Sequence, residues 1–207
     1  MQKTAPSQSP FPLVAILKPK TMKKTTIITI LFLFSNFIFG QSLNDLDLKN
    51  GFRHFKLGSS PSQFKNIKKI ENPISEQFNA ISYKYIGDDI NYVGGVKVVD
   101  IKLDFFKNKL TSITVNFGEY DGNDFTEEEF RTLRIFLENI YGKEWLEPKN
   151  KNNKLLNSCI WDANKIRLEL NRFDFNKAET HPEDILIVGY ILVFDKKLMK
   201  EMISENF

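Results

Sequence analysis

The sequence has one cysteine, Cys159, and only two histidines, His54 and His181. One cysteine cannot close an internal disulfide, and none stands near residue 41 to accept a lipid anchor. Cys159 lies in a strand-like run with Ile160 and Trp161, so it reads as a small buried apolar residue rather than a nucleophile. His54 falls on a short strand and His181 precedes a proline, and neither belongs to a metal pattern such as H-E-x-x-H. The chain contains no G-x-S-x-G, no phosphate loop and no paired-carboxylate motif. No catalytic residue, metal or cofactor is therefore expected, and the reading is of a protein that is not an enzyme.

Acidic residues are missing altogether from the first 40 positions. Five of the 29 basic residues precede Gln41 and none of the 26 acidic ones does, so the whole-chain charge of +3 becomes −2 over residues 41–207. A near-neutral domain lacks the basic footprint that phosphate backbones demand. Nucleic acid is not an expected partner.

Long apolar runs are also scarce. The clearest is residues 27–39, which follows Lys23 and Lys24 and ends at Gly40. A basic start, a short apolar stretch and a small residue at the end describe a secretory signal peptide over 22–40, cut between Gly40 and Gln41. Ile38 departs from the small residue preferred at its position. The run is shorter than the roughly 20 residues needed to cross a bilayer, so no stable membrane span is expected after cleavage; an uncleaved N-terminal anchor is the alternative. Residues 1–21 carry four prolines and no hydrophobic period, and read as a non-native or disordered extension ahead of a start at Met22. The expected location is periplasmic or extracellular.

What remains, residues 41–207, suits one domain. Residues 42–50 read as a polar lead-in and 51–57 as a short strand. Ser60, Pro61 and Gln63 form a capping-box pattern, followed by Phe64, Ile67 and Ile70 at helical spacing and closed by Pro73. Residues 81–86 read as a strand. Val99, Ile101, Leu103 and Phe105 alternate with Asp100, Lys102 and Asp104; after a turn at 107–109, Ile113, Val115 and Phe117 alternate with Ser112, Thr114 and Asn116. That is an antiparallel hairpin with one wet face.

The acidic stretch 119–124 fails the calcium-loop spacing, because Phe125 and Thr132 occupy the ligand positions five and twelve counted from Asp121. Thr126 and Glu129 instead cap a helix whose apolar stripe is Phe130, Leu133, Phe136, Leu137, Ile140 and Tyr141, ended by Gly142. The polar loop 149–154 leads to a second hairpin, turning at Ala163-Asn164, with Ile166, Leu168 and Leu170 alternating against Arg167, Glu169 and Asn171. Residues 185–194 are apolar on both faces, which predicts a central strand. Asp195 caps a last helix with Leu198, Met199, Met202 and Ile203 on its buried side.

The expected fold is therefore α+β: an antiparallel sheet of about six to seven strands with helices on one face. A tandem helix–three-strand repeat (51–117 and 126–194) is one way to organise it, since Asn108-Lys109-Leu110 and Phe117 each recur 56 residues later as Asn164-Lys165-Ile166 and Phe173; convergent hairpin chemistry is the other. Gly58 to Phe64, with Gln63 at the fifth position after Gly58, resembles the helix opening of BamE (SmpA/OmlA)-like and β-lactamase-inhibitor-like exported modules, and Tyr141-Gly142-Lys143 is similar to the close of their helix. Ser59 replaces their usual apolar residue, the first helix lacks a closing glycine, and the lipid-accepting cysteine is absent. The resemblance implies a helix on a three- or four-stranded antiparallel sheet.

Functionally the expectation is a non-catalytic binding module that meets another envelope or secreted protein; a structural or stress protein without a ligand, or a cryptic enzyme, are the alternatives. Tyr83, Tyr85 and Tyr92 are the candidate binding aromatics, although the same residues suit a half-buried core with wet hydroxyls. If helices cover the apolar face of the sheet, Lys102, Ser112, Thr114, Arg167 and Glu169 line the free one. Oligomeric state is not legible.

Overall fold

A computed structural model of the chain describes residues 42–118, 124–148, 154–174 and 187–206. The extension over 1–21, the leader over 22–40, its junction at Gly40 and Gln41, most of the acidic 119–124 stretch, the loop 149–153 and the 175–186 connection with His181 lie outside them. Residues from Gly40 onward belong to one unit.

Residues 42–50 are a helix, not a polar lead-in. Helix α1 spans Leu43–Lys49, with Ser42 and Asp45 forming a capping box and Asn50 closing it in the left-handed conformation. Leu46 is fully buried, and the Asp47 carboxylate accepts the backbone N–H groups of Lys165 and Ile166 at 2.9 Å. The aspartates that made this segment look solvated are its cap and its docking contact.

Strands β1 (Gly51–Phe52) and β2 (Phe55–Lys56) form a tight hairpin instead of one strand. The expected helix after Ser60 is a second correction. Its capping box forms, but only over a 3-10 turn, Pro61–Gln63, which ends at Phe64 in extended backbone. Asn66 then takes a positive φ of 58°, and Ile67 and Ile70 become the ends of an edge strand, β3 (Ile67–Ile70). Helical spacing over three apolar residues was also compatible with a strand whose middle is Lys68-Lys69, and no further turn of apolar residues follows to favour the helix.

The remaining elements follow in order. They are a one-turn helix α2 (Pro73–Glu76), β4 (Ala80–Tyr85), a small hairpin β5 (Tyr92–Val93) and β6 (Val96–Lys97), then β7 (Asp100–Phe106), β8 (Lys109–Phe117) and helix α3 (Glu127–Tyr141). The chain ends in β9 (Leu155–Asp162), β10 (Ile166–Asp174), β11 (Ile187–Asp195) and helix α4 (Lys196–Ser204). Seven strands make one antiparallel sheet in the order β3-β4-β7-β8-β11-β10-β9. The fold is α+β, as the patterning predicts. The first half contributes four sheet strands and a 3-10 turn rather than a helix and three strands.

Lys107 and Asn108 both take positive φ, 48° and 62°, which is the two-residue hairpin turn that matches strand twist. Thr111 is the extra residue of a bulge, since Asp104 pairs with Ser112 while Phe105 pairs with Leu110. The last strands of the two halves, β8 and β11, meet in the middle, which makes β11 the central strand its apolar run predicts.

One face carries the main core. Ile101, Leu103, Ile113, Val115, Leu168, Leu170, Ile191 and Val193 are buried there. Helices α1 and α3 cover its β10 and β9 side. Over the other side Phe55 and Phe64 pack from the small hairpin and the 3-10 turn, with Phe55 edge-on to Tyr85 at 5.1 Å and Phe64 edge-on to Phe105 at 6.0 Å. Helix α3 buries Phe130, Leu133, Leu137 and Tyr141, and its Thr126–Glu129 capping box is formed. Trp161 is fully buried and donates its indole N–H to the Gly142 carbonyl at 2.9 Å. Cys159 is buried at 2% exposure, as expected of a small apolar residue. Among the described residues no helix is long and apolar enough to cross a membrane.

Candidate functional site

The second face of the sheet is where charge and polarity collect. Cross-strand pairing puts Lys84, Lys102, Thr114, Leu192 and Glu169 in one row. Ser82, Asp104, Ser112, Phe194 and Arg167 form the next, and Asp100, Asn116, Tyr190 and Asn171 a third. Strand β11 thus runs a half-buried apolar stripe, Val188, Tyr190, Leu192 and Phe194, through a polar field.

The turn end of this face is closed. Helix α4 is capped by Asp195, whose carboxylate accepts the N–H groups of Lys197 and Leu198. Met202 and Met199 pack with Ala80, Phe106 and Phe78 in a second, smaller core. Lys107 ties the helix down through ion pairs to Glu201 and Glu205. Ile203, expected on the buried side, is 43% exposed, because one short helix resting on a sheet end buries a narrow stripe.

Beside α4, Asp104 sits in a ring of hydroxyls. Its carboxylate accepts from Ser75, Ser82 and Ser112, and Asn72 donates to Ser75 and Ser82. A carboxylate held by three hydroxyls is satisfied without a cation. Ser112, expected to line the free face, is only 4% exposed for this reason. The other residues expected there, Lys102, Thr114, Arg167 and Glu169, are half-buried on this face, and Arg167 pairs with Glu169 at 2.9 Å.

At the opposite end the face opens into a cleft of about 380 Å³, lined by Val99, Asp100, Lys102, Asn116, Phe173 and Tyr190 among others. The Asn116 amide donates to Asp100 at 2.6 Å, and Lys84 stands 3.8 Å from the same carboxylate. Burial, and secondarily the Glu169 charge, push the Tyr190 phenol above its ordinary value, against a bond with Asn171. Tyr190 is therefore a neutral donor with an apolar body, the kind of group that anchors interfaces. It is absent from the sequence-based candidates, although its alternation with Val188 and Leu192 along an apolar strand was the available signal.

The three predicted aromatics are not brought together here. Tyr83 and Tyr85 face the main core: Tyr83 packs edge-on against Phe105 at 5.3 Å, and Tyr85 against Phe55. Tyr92, 60% exposed, lies on the small β5–β6 hairpin.

Tyr85 does border a polar hollow with His54, Ser59, Asp88 and Asp89. His54 stands 3.6 Å from Asp89, with side chains 47% and 56% exposed. The Tyr85 hydroxyl donates to the same carboxylate, which, more than the neighbouring His54 and Arg53 charges, holds Asp89 below the usual carboxylate range. Asp89 thus accepts from Tyr85 and stands beside His54 without a hydrogen bond to it, and the Ser59 hydroxyl is not hydrogen-bonded to His54. An activated nucleophile needs base and nucleophile linked and the base oriented by a third group; this arrangement lacks the first link. Among the described residues no group of three or more His, Cys, Asp or Glu is placed to hold a metal.

No protein-family model matches the chain, and no significant match is found among the curated proteins or the solved structures.

Proposed function

We propose that the protein is exported by its leader and works in the periplasm or outside the cell as a non-catalytic binding module, presenting the second face of its sheet to another envelope or secreted protein. The observation that carries this reading is the apolar stripe Val188, Tyr190 and Leu192 at the centre of a polar sheet face, beside a 380 Å³ cleft. Interfaces have an apolar, aromatic centre inside a polar rim, and a few such anchors dominate the binding energy. Here Tyr190 and Leu192 are the centre, with Lys102, Thr114, Arg167 and Glu169 as the rim. Helix α4 follows directly on the Phe194 end of the strand and packs against it. A BamE-like ancestry belongs to the same proposal: the antiparallel sheet under α3 supports it, and the 3-10 turn where the helix opening was expected counts against it.

The test is capture from an envelope fraction by the wild-type chain and by Tyr190→Ala and Leu192→Asp. Both variants should keep the wild-type circular dichroism and lose the captured species. Unchanged capture by both folded variants would reject the sheet face.

A further inference from the structure

A second surface lies in the layer on the far side of the sheet, where α1, the β1–β2 hairpin and α3 enclose a groove of about 330 Å³. Its walls carry Lys49, Arg53 and Lys56, with no acidic residue among the lining side chains, and its apolar floor includes Phe52, Ile140 and Tyr141. We propose that this groove binds an acidic peptide segment of a partner protein, seating one bulky apolar side chain on the floor and its flanking carboxylates on the three cations. This goes beyond the sheet-face reading and does not depend on it.

The cations are positioned yet unneutralised. Lys56 donates to the Lys49 carbonyl at 2.7 Å, the Lys49 ammonium lies 4.7 Å over the Tyr141 ring, and Arg53 donates to the Tyr92 carbonyl at 3.3 Å. Each contact uses one donor or none, while an ammonium has three and a guanidinium five. Among the described residues no carboxylate comes within ion-pair distance of any of the three. Burial, and the nearby Lys56 charge, hold the Lys49 ammonium below its ordinary value, while Asp45 pulls it back up. A carboxylate arriving in the groove would relieve that crowding.

The hairpin turn places Arg53 in the wall of the groove. This residue is the first of the two-residue tip of the β1–β2 hairpin and takes a φ of 54°. Positive φ there favours glycine, asparagine or aspartate. A similar positive φ at Lys107 serves an ordinary hairpin turn, so at Arg53 it fixes where the long cation stands.

A peptide fits this surface better than a polyanion or a bilayer. Nucleic acid and anionic lipid are met by broad basic patches, whereas here three cations ring one apolar slot on a domain of net charge −2 over residues 41–207. The slot's volume lies at the lower end of ligand pockets, which run from about 300 to 1,000 Å³.

The probe is a fluorescein-labelled hexapeptide with one central phenylalanine flanked by aspartates, titrated with the full chain and read by anisotropy. It should bind, and replacing its aspartates by asparagines or its phenylalanine by glycine should weaken binding about tenfold or more, as should Arg53→Gln/Lys56→Gln in the protein. Amide shifts of the wild-type chain, which need no variant to fold, should move at Phe52, Arg53 and Ile140 and stay still at Tyr190. No binding at millimolar peptide, equal binding of the asparagine peptide, shifts centred on Tyr190, or binding only to phosphatidylglycerol vesicles would each overturn the proposal.

Discussion

Gly189 shows how one missing side chain shapes the centre of the sheet. A Cβ built there would sit 2.2 Å from the Phe125 ring, and Phe125 is buried, stacked on Phe117 and tied by its N–H to the Ile187 carbonyl and by its carbonyl to Arg172. None of those partners can shift cheaply, so Gly189→Ala should destabilise the fold by about 1–3 kcal/mol, read as a lowered denaturant midpoint. A wild-type midpoint in that variant would mean the ring has room to move. Tyr141 gives a pH prediction. Burial, and secondarily Asp45, push its phenol from 10.0 up to about 12. The neutral form is thus favoured in the folded state, so the linked stability is complete below pH 10 and falls as pH rises from about 10 to about 12. Alkaline unfolding of Tyr141→Phe should lack that part of the slope.

At the scale of elements, long periodic segments were legible and short ones were not. The β7–β8 and β9–β10 hairpins, the Thr126-capped helix and the central β11 all follow from alternation or 3.6-residue spacing sustained over a whole element. Helix α1 was hidden because two turns give too little period to read, although Ser42 and Asp45 spelled its capping box. The 3-10 turn shows the converse: Ser60 and Gln63 form the cap, but a cap cannot extend a helix whose next residues, Phe64 and Asn66, adopt extended and left-handed backbone. Of the candidate site, the polar rim residues Lys102, Thr114, Arg167 and Glu169 were readable from period two alone. The packing of α4 and α2 over Asp104 and Ser112 was not, since it depends on contacts between segments far apart in sequence. Helix α4 itself rests on its cap. Asp195→Ala should cost about 1 kcal/mol and speed amide exchange over residues 196–204, with exchange in α3 unchanged.

Among the described residues a main core and a smaller one under α4 carry the fold, and the one cysteine is buried in the main core; stability is expected to need neither a disulfide nor a metal. Thermal unfolding with and without chelator and reductant should superimpose, and a drop of several degrees in either would contradict this. The two polar-rimmed surfaces lie on opposite sides of the sheet, one on bare strand and one between helices and hairpin, so each can be tested while the other stays intact. The central claim is that the bare sheet face meets a partner. The most direct measurement is site-specific photocrosslinking in the cells that make the protein, with a photoreactive phenylalanine analogue replacing either Leu192 or, as a control, Leu48, which is 80% exposed on α1 in the layer on the other side of the sheet. The account predicts a discrete adduct from position 192 that is absent from position 48. No adduct at 192, or the same adducts from both positions, would contradict it.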